Sequence, residues 1–184
     1  MFRTLFLGLV TAFMVGCASL PPSLHTTTET PVTDVNVLMS DLEANTGHEV
    51  RLGGIIAALS NGKERTRLEI VALPIGKDGK PKLNAKPQHR FVAYVDGFLE
   101  PLEYSMGKLI SVAGKVAGEE QGTVGQFAYQ FPVIDVTGNQ LWQVKQEIWF
   151  DDFDRFNNCI GTRCPVNQLG YGLSRGEVRE RVTQ

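Results

Sequence analysis

The sequence predicts a mainly β protein, a small antiparallel barrel of five to six strands with a short helix before the first strand. Strand-like segments follow one another over about a hundred residues, and almost no helical pattern separates them. The 184 residues include 19 Gly and 9 Pro among many Val, Ile, Phe and Tyr, which favours frequent turns between paired strands. A chain of this length can bury one ordinary core, so we expect one main domain.

The helix is expected within residues 33–45, where apolar side chains recur at helical spacing. Thr33 and Asp34 are the candidate N-caps, and Gly47 is the candidate stop. The first strand follows in VRLGGIIAAL, where Gly53 and Gly54 interrupt the alternation and suggest a bulge or a barrel corner.

Five further strands are expected after a hairpin turn at Asn61-Gly62. The second alternates most clearly, since Thr66, Leu68, Ile70 and Ala72 share one face while Arg65, Arg67 and Glu69 share the other. A long polar loop leads to the third strand, RFVAYV, and the fourth covers residues 109–116. A glycine-rich connection, GEEQGTVG, precedes the fifth strand, QFAYQFPVIDV, in which Pro132 indicates an edge or a bulge. A turn at Gly138-Asn139 separates the sixth strand, QLWQVKQ, and the whole pattern favours a barrel of the oligonucleotide/oligosaccharide-binding (OB) type.

Residues 1–16 are typical of a signal peptide, with Arg3 before an apolar stretch over residues 5–15. These eleven residues would span only about 16 Å as a helix, whereas the hydrocarbon of a bilayer is about 30 Å thick. The run Met14-Val15-Gly16-Cys17 resembles a bacterial lipobox, so we expect cleavage before Cys17 and fatty acyl chains, such as palmitate, on its thiol. The alternative is an ordinary secretory leader. Residues 17–32 are expected to form a lipidated, flexible tether, and residues 33–148 the barrel domain.

Residues 149–184 are expected to form an aromatic and acidic appendage outside the barrel. In an oxidising compartment Cys159 and Cys164 are expected to form a disulfide, because CxxxxC lacks the second pair of a zinc site and the spacing of a redox CxxC. Three nearby acids are candidate calcium ligands, but they lack the spacing of a calcium loop and are more simply solvated: Asp151, Asp152 and Asp154.

No catalytic, cofactor or metal residues are predicted. The three histidines lie in no motif that would activate a nucleophile, and four glutamates fall in predicted loops: His25, His48 and His89; Glu100, Glu103, Glu119 and Glu120. Without Arg3 the mature chain carries 17 basic and 20 acidic residues, a balance of −3, which argues against nucleic acid.

Three segments, taken in order, resemble the Slp family of starvation-inducible outer-membrane lipoproteins: RLGGIIAALSNGKERTRLEIVALPI, RFVAYVDGFLEPLEY and KLISVAGKVAGEEQGTVGQFAYQFPVIDVTGNQLW. The resemblance covers roughly residues 51–142 and the lipobox. It implies a lipid-anchored protein of the outer membrane, facing the periplasm and associated with stress physiology. It implies no catalytic residues.

Two functions follow as hypotheses. The first is a non-enzymatic envelope lipoprotein, a structural or interaction module whose partner is an unknown envelope protein or glycan. The second is a periplasmic binding module that holds a glycan, peptide or small molecule on a barrel face formed by Arg65, Arg67, Tyr94 and Tyr129.

Overall fold

The computed structural model describes residues 19–150 and 176–184. Within them, a 3₁₀ turn at Pro22–Leu24 precedes two short helices, α1 Val35–Ser40 and α2 Leu42–Asn45. The strands are β1 Glu49–Asn61, β2 Arg65–Leu73, β3 Arg90–Asp96, β4 Leu109–Val124, β5 Phe127–Phe150 and β6 Gly176–Thr183. The prediction of a mainly β protein with five to six strands is confirmed.

Five of the strands form a closed ring. β1 pairs with β2 on one side and with β4 on the other, β2 pairs with β3, and β4 pairs with β5, all antiparallel. A short parallel pairing of β3 with β5, from Val92↔Val133 to Tyr94↔Asp135, closes the ring. The ring order β1-β2-β3-β5-β4 agrees with the predicted OB-like arrangement, and β6 adds to the second half of β5 outside the ring.

The core fills the ring because the strands alternate as predicted. On β2 the side chains of Thr66, Leu68, Ile70 and Ala72 are buried, and the charged side chains between them face outward. The helices close one end of the ring, where Val35 and Leu38 of α1 are fully buried in this core. The loop between β3 and β4 lies at the other end.

The predicted helix is present but divided. Asp34 caps α1 by accepting a hydrogen bond from the Asn36 N–H at 2.9 Å, as one of the two predicted caps. Asp41 leaves the helical conformation and caps α2 by accepting from the Ala44 N–H at 3.0 Å. A second capping side chain in the middle of the segment therefore ends one helix and begins another.

Two predicted strand ends are wrong. β5 runs unbroken through Gly138 and Asn139, which pair with Ala113 and Val112 of β4. β4 in turn continues through the predicted glycine-rich connection, so Glu119 and Glu120 lie in a strand and the turn comes at Gly125, whose φ is +62°. Glycine and polar residues tolerate both turns and paired strands, and the long partner strand decides between them here.

The structure also tests the irregularities predicted at Gly53-Gly54 in β1 and at Pro132 in β5. The register shift of β1 lies between Ile56 and Ala58, three residues beyond the predicted bulge. Gly54 is needed for close approach, because a Cβ there would lie 2.1 Å from the Val71 carbonyl oxygen. Pro132 pairs with Glu119, one residue from a register shift of β4 between Val116 and Gly118. It lies just before β5 gains β3 as a second neighbour, a position near a bulge at which a missing N–H is tolerated.

The N-terminal segment differs from the predicted flexible tether. Leu24 is fully buried in a second apolar cluster with Leu109 and Trp142, and Leu20 packs against the same cluster. The Arg51 Nε donates to the Leu24 carbonyl oxygen at 2.8 Å. Two leucines in a Pro/Ser/Thr-rich stretch are enough to dock it on the ring, because burying one leucine stabilises by about 1.5–3 kcal/mol.

The C-terminal end also differs from the predicted appendage, because Gly176–Thr183 forms β6 against residues 143–150 of β5. The predicted boundary at residues 148 and 149 therefore falls inside β5. The leader, Cys17, Cys159, Cys164 and the aspartates at 151, 152 and 154 lie outside the described residues.

Candidate functional site

The four residues predicted to form a ligand face are brought together on the outer surface of β2 and β3. Beyond the ring, β4 and β5 continue as a two-stranded hairpin, here called the arm, formed by residues 118–124 and 127–132. The arm folds over the outer face of β2 and β3. It places Glu120, Tyr129 and Phe131 against the side chains that β2 and β3 present there.

Glu120 is the centre of this contact. Its Oε1 accepts from Arg67 Nη2 at 2.8 Å and Nε at 3.0 Å, and its Oε2 accepts from the Tyr94 hydroxyl at 2.7 Å. Burial of Glu120 raises its pKa, but the hydrogen bonds from Arg67 and Tyr94 and the charge of Arg67 outweigh burial, so the net pKa is lowered. The hydrogen bond to Glu120 raises the pKa of Tyr94, and burial and the Glu120 charge add to that shift.

Three further ion pairs surround Glu120. Glu69 Oε1 lies 2.5 Å from Arg90 Nη1, and its other oxygen lies 3.8 Å from Arg67 Nη1. Arg65 Nη2 lies 2.5 Å from an oxygen of Asp135 on β5. We refer to these seven paired residues as the arm network: Arg65, Arg67, Glu69, Arg90, Tyr94, Glu120 and Asp135.

Aromatic packing fixes the arm in place. Phe131 is almost fully buried. The centroid of its ring lies 4.7 Å from that of Tyr129 and 5.8 Å from the guanidinium carbon of Arg67. The Tyr129 hydroxyl accepts from the Arg90 N–H at 2.9 Å. Val92 faces outward by strand alternation and is nevertheless fully buried, as expected for a residue under the arm.

The arrangement is that of an internally satisfied interface. The predicted face residues Arg65, Arg67, Tyr94 and Tyr129 each bond or stack with another part of the chain. The sequence does not predict their partners on the arm, Glu120 and Phe131, because its glycine-rich pattern indicates a loop at Glu120. The one available signal was the alternation of Glu120 with Gly122 on one face of an extended segment.

Three further findings concern metal binding, membrane-spanning helices and surface grooves in the described part of the chain. Among residues 19–150 and 176–184, no group of three or more His, Cys, Asp or Glu side chains is placed to hold a metal ion. None of the helices described is both long and apolar enough to cross a bilayer. An open groove of about 970 Å³ lies between residues 81–84 and β6, with Leu83 and Val182 among its walls.

Comparisons with known proteins identify the family of the chain. The sequence profile of the Outer membrane lipoprotein Slp family matches residues 14–158. The chain is 33% identical over 141 residues to the uncharacterized lipoprotein YeaY of Escherichia coli K12, covering 77% of this chain and 72% of that protein. It is 27% identical over 136 residues to the outer membrane protein Slp of the same organism, covering 73% and 72%.

A third relative is an uncharacterized protein of Haemophilus influenzae, 32% identical over 108 residues, 57% of this chain and 58% of that protein. No solved structure matches the chain. These matches place the chain among the lipoproteins of the bacterial envelope. The chain belongs to the Slp family of outer-membrane lipoproteins, and its location is the outer membrane.

Proposed function

We propose that the mature protein begins at Cys17 and is held in the outer membrane by acyl chains on that residue, with its β ring facing the periplasm. The family match begins at residue 14 and so includes the lipobox-like run up to Cys17. Two or three acyl chains on one cysteine give a practically irreversible anchor, because each buried CH₂ contributes about 0.8 kcal/mol.

We further propose that the ring is a non-enzymatic structural or interaction module of the envelope that contributes to survival under starvation or other stress. The closure of the arm over the outer face of β2 and β3 carries this proposal. The acids and bases that the sequence offers for chemistry or ligand binding are paired with one another, Arg67 with Glu120 and Arg65 with Asp135. Membership of the Slp family, whose resemblance implies an association with stress physiology, supports the proposed link to starvation.

The anchor is tested by intact mass and membrane fractionation of the wild type beside Cys17→Ser. The wild-type mass should correspond to a chain that starts at Cys17 with acyl groups added, and the protein should follow the outer membrane. Cys17→Ser should lack the added mass and lose the membrane. Cys159→Ser is the matched control, because it removes a cysteine and should keep the anchor. An unmodified wild type that fractionates as a soluble protein would overturn the proposal.

The envelope role is tested in a deletion strain under starvation, complemented with each variant at equal expression. The wild type should restore survival and Cys17→Ser should not. Glu120→Gln and Tyr94→Phe change the acid and the phenol of the arm network, so an enzyme that used either group would lose function. If the role is structural, both variants should restore survival provided that they stay folded at growth temperature. Loss of rescue by a variant that is folded and anchored would contradict a non-enzymatic role.

A disulfide between Cys159 and Cys164 is also proposed, on the ground of their spacing and an oxidising compartment. Thiol labelling of the denatured, unreduced protein from the envelope should leave both cysteines unlabelled, and prior reduction should expose both. Labelling without reduction would exclude the bond.

Ligand binding is the second candidate, and the groove between residues 81–84 and β6 is the observation that favours it. Its walls combine apolar Leu83 and Val182 with polar Lys82 and Asn84, so a ligand there would meet both apolar surface and hydrogen-bonding groups. Methyl NMR of Leu83 and Val182 during titration with chitobiose or a short peptide would detect binding there. Shifts confined to these methyls would support a binding module, and unchanged spectra with both probes would count against it.

A further inference from the structure

The loop between β3 and β4, residues 97–108, exposes three large apolar side chains at one end of the ring. Phe98 is 68% exposed, Leu102 85% and Met106 74%. The loop is nevertheless well held, since Leu99 and Tyr104 pack against the core. A fixed cluster of exposed apolar side chains on a small protein marks a contact with another protein or a membrane.

The N-terminal segment leads toward the same end of the ring. The Ser23 carbonyl oxygen lies against Gly138 of β5, while the Tyr104 hydroxyl of the loop donates to Asn139 Oδ1 at 3.0 Å. Downstream of Ser23 the chain runs toward the helices, because the Thr28 N–H donates to the side chain of Glu49, the first residue of β1. Upstream of Ser23, Leu20 lies with Leu24 and Trp142 against Gly79.

Trp142 pairs with Leu109, the residue at which β4 leaves the loop. The direction from Gly138 to Trp142 along β5 is therefore the direction toward the loop. Leu20, which lies upstream of Ser23 and near Trp142, is therefore on the part of the ring that leads to the loop.

The distance to the anchor is short. Leu20 is the third residue after Cys17, and an extended chain covers at most about 11 Å over three residues, at 3.3–3.6 Å each. The headgroup layer on one side of a bilayer is about 5–8 Å thick, half the difference between the full bilayer and its hydrocarbon core. A docked Leu20 therefore leaves little room between the ring and the lipid, in contrast to a long flexible tether.

We propose that the loop between β3 and β4 is a second membrane contact, in which Phe98, Leu102 and Met106 insert into the leaflet that holds the acyl chains of Cys17. This inference rests on the proposed lipidation of Cys17. The loop carries Glu100 and Glu103 beside its apolar residues, so it suits a leaflet of zwitterionic headgroups better than an anionic one. Two attachments, one covalent and one through the loop, would fix the orientation of the ring on the membrane.

The experiment uses the full acylated protein in vesicles of phosphatidylethanolamine and phosphatidylcholine with brominated acyl chains, which quench nearby tryptophan. Leu102→Trp puts an indole on the loop. Phe127→Trp is the matched control, because Phe127 is 80% exposed and lies at the tip of the arm. Tyr129 of the arm bonds the N–H of Arg90, the first residue of β3, whereas the loop follows Asp96, the last residue of β3. The two positions therefore lie toward opposite ends of this seven-residue strand, which is about 20 Å long at 3.3 Å per residue. The wild type gives the signal of the native tryptophans.

The added fluorescence of Leu102→Trp should be quenched severalfold more than that of Phe127→Trp, and Met106→Trp should repeat the result on the same loop. Equal quenching at loop and arm, or none at the loop, in protein whose intact mass shows acylation would overturn the loop contact and leave the anchor standing. An unacylated mass would overturn the anchor. If the unacylated protein shows quenching at Leu102→Trp, the loop inserts without the anchor. If the unacylated protein shows no quenching there, the loop contact is overturned together with the anchor.

Discussion

Gly138→Ala tests whether the N-terminal segment is docked as described. A Cβ at Gly138 would lie 1.9 Å from the Ser23 carbonyl oxygen and 3.0 Å from its carbonyl carbon. Both atoms belong to the backbone, so no side-chain rotation can relieve the clash. The φ of Gly138 lies outside the left-handed region, so alanine is not strained in its own conformation. The methyl group must therefore displace the segment around Ser23.

The size of the effect follows from what the segment contributes. Its displacement exposes Leu24, which is fully buried and whose burial stabilises by about 1.5–3 kcal/mol. It also breaks the hydrogen bond from Arg51 Nε to the Leu24 carbonyl, about 1 kcal/mol. Alanine lowers the entropy of the unfolded chain, which offsets about 0.4–1 kcal/mol. We expect Gly138→Ala to lower the free energy of unfolding by about 2–3 kcal/mol.

Urea denaturation measures this change, and amide hydrogen exchange localises it. The Leu24 N–H bonds to the Pro21 carbonyl oxygen and the His25 N–H to that of Pro22, so both amides should exchange faster in the variant. Gly122→Ala is the matched control, because its Cβ meets only the side chain of Phe131, at 3.0 Å, and no atom of the N-terminal segment. It should leave the exchange of Leu24 unchanged.

A double mutant decides the cause. If Gly138→Ala undocks the segment, adding Leu24→Ala should cost less than about 1 kcal/mol, whereas Leu24→Ala alone should cost about 2–5 kcal/mol. Additive costs, or a Gly138→Ala variant within about 0.5 kcal/mol of the wild type, would show that the segment does not depend on this contact.

Two further predictions concern the polar side chains of Glu120 and Ser111. Burial raises the pKa of Glu120, but the hydrogen bonds and charge of Arg67 outweigh it, so the folded pKa lies below the ordinary 4.5. This stabilisation is complete above pH 4.5 and is lost as the pH falls through the folded pKa. The difference in urea midpoint between wild type and Glu120→Gln should therefore shrink between pH 7 and pH 3, and a constant difference would contradict it. Ser111 is buried, accepts from Trp142 Nε1 at 3.0 Å and donates to the Gly79 carbonyl oxygen at 2.6 Å. Ser111→Ala leaves two buried groups unpaired and should cost about 2–4 kcal/mol in urea denaturation, while Ser111→Thr, which keeps a hydroxyl, should cost less.

The ring itself could be predicted because its strands obey local rules. The alternation of Leu68 and Ile70 with Arg67 and Glu69 fixes which face of β2 is buried, whatever its neighbours are. The Asp34 cap is equally local, since its side chain bonds a backbone N–H two residues on. Membership of the Slp family was also visible in the sequence, through ordered segments that cover the ring.

The arm network and the docked N-terminal segment could not be predicted in the same way. Arg67 and Glu120 are 53 residues apart, and only the long β4–β5 hairpin brings them together. Gly138 was interpreted as a turn because a glycine in isolation favours one. In the folded chain it pairs within β5 and leaves space for the Ser23 backbone. The sequence by itself determined the strands, their buried faces and the family. The tertiary structure decided which outward charges pair and which end of the ring the N-terminal segment approaches, because those contacts join residues whose local patterns carry no information about each other.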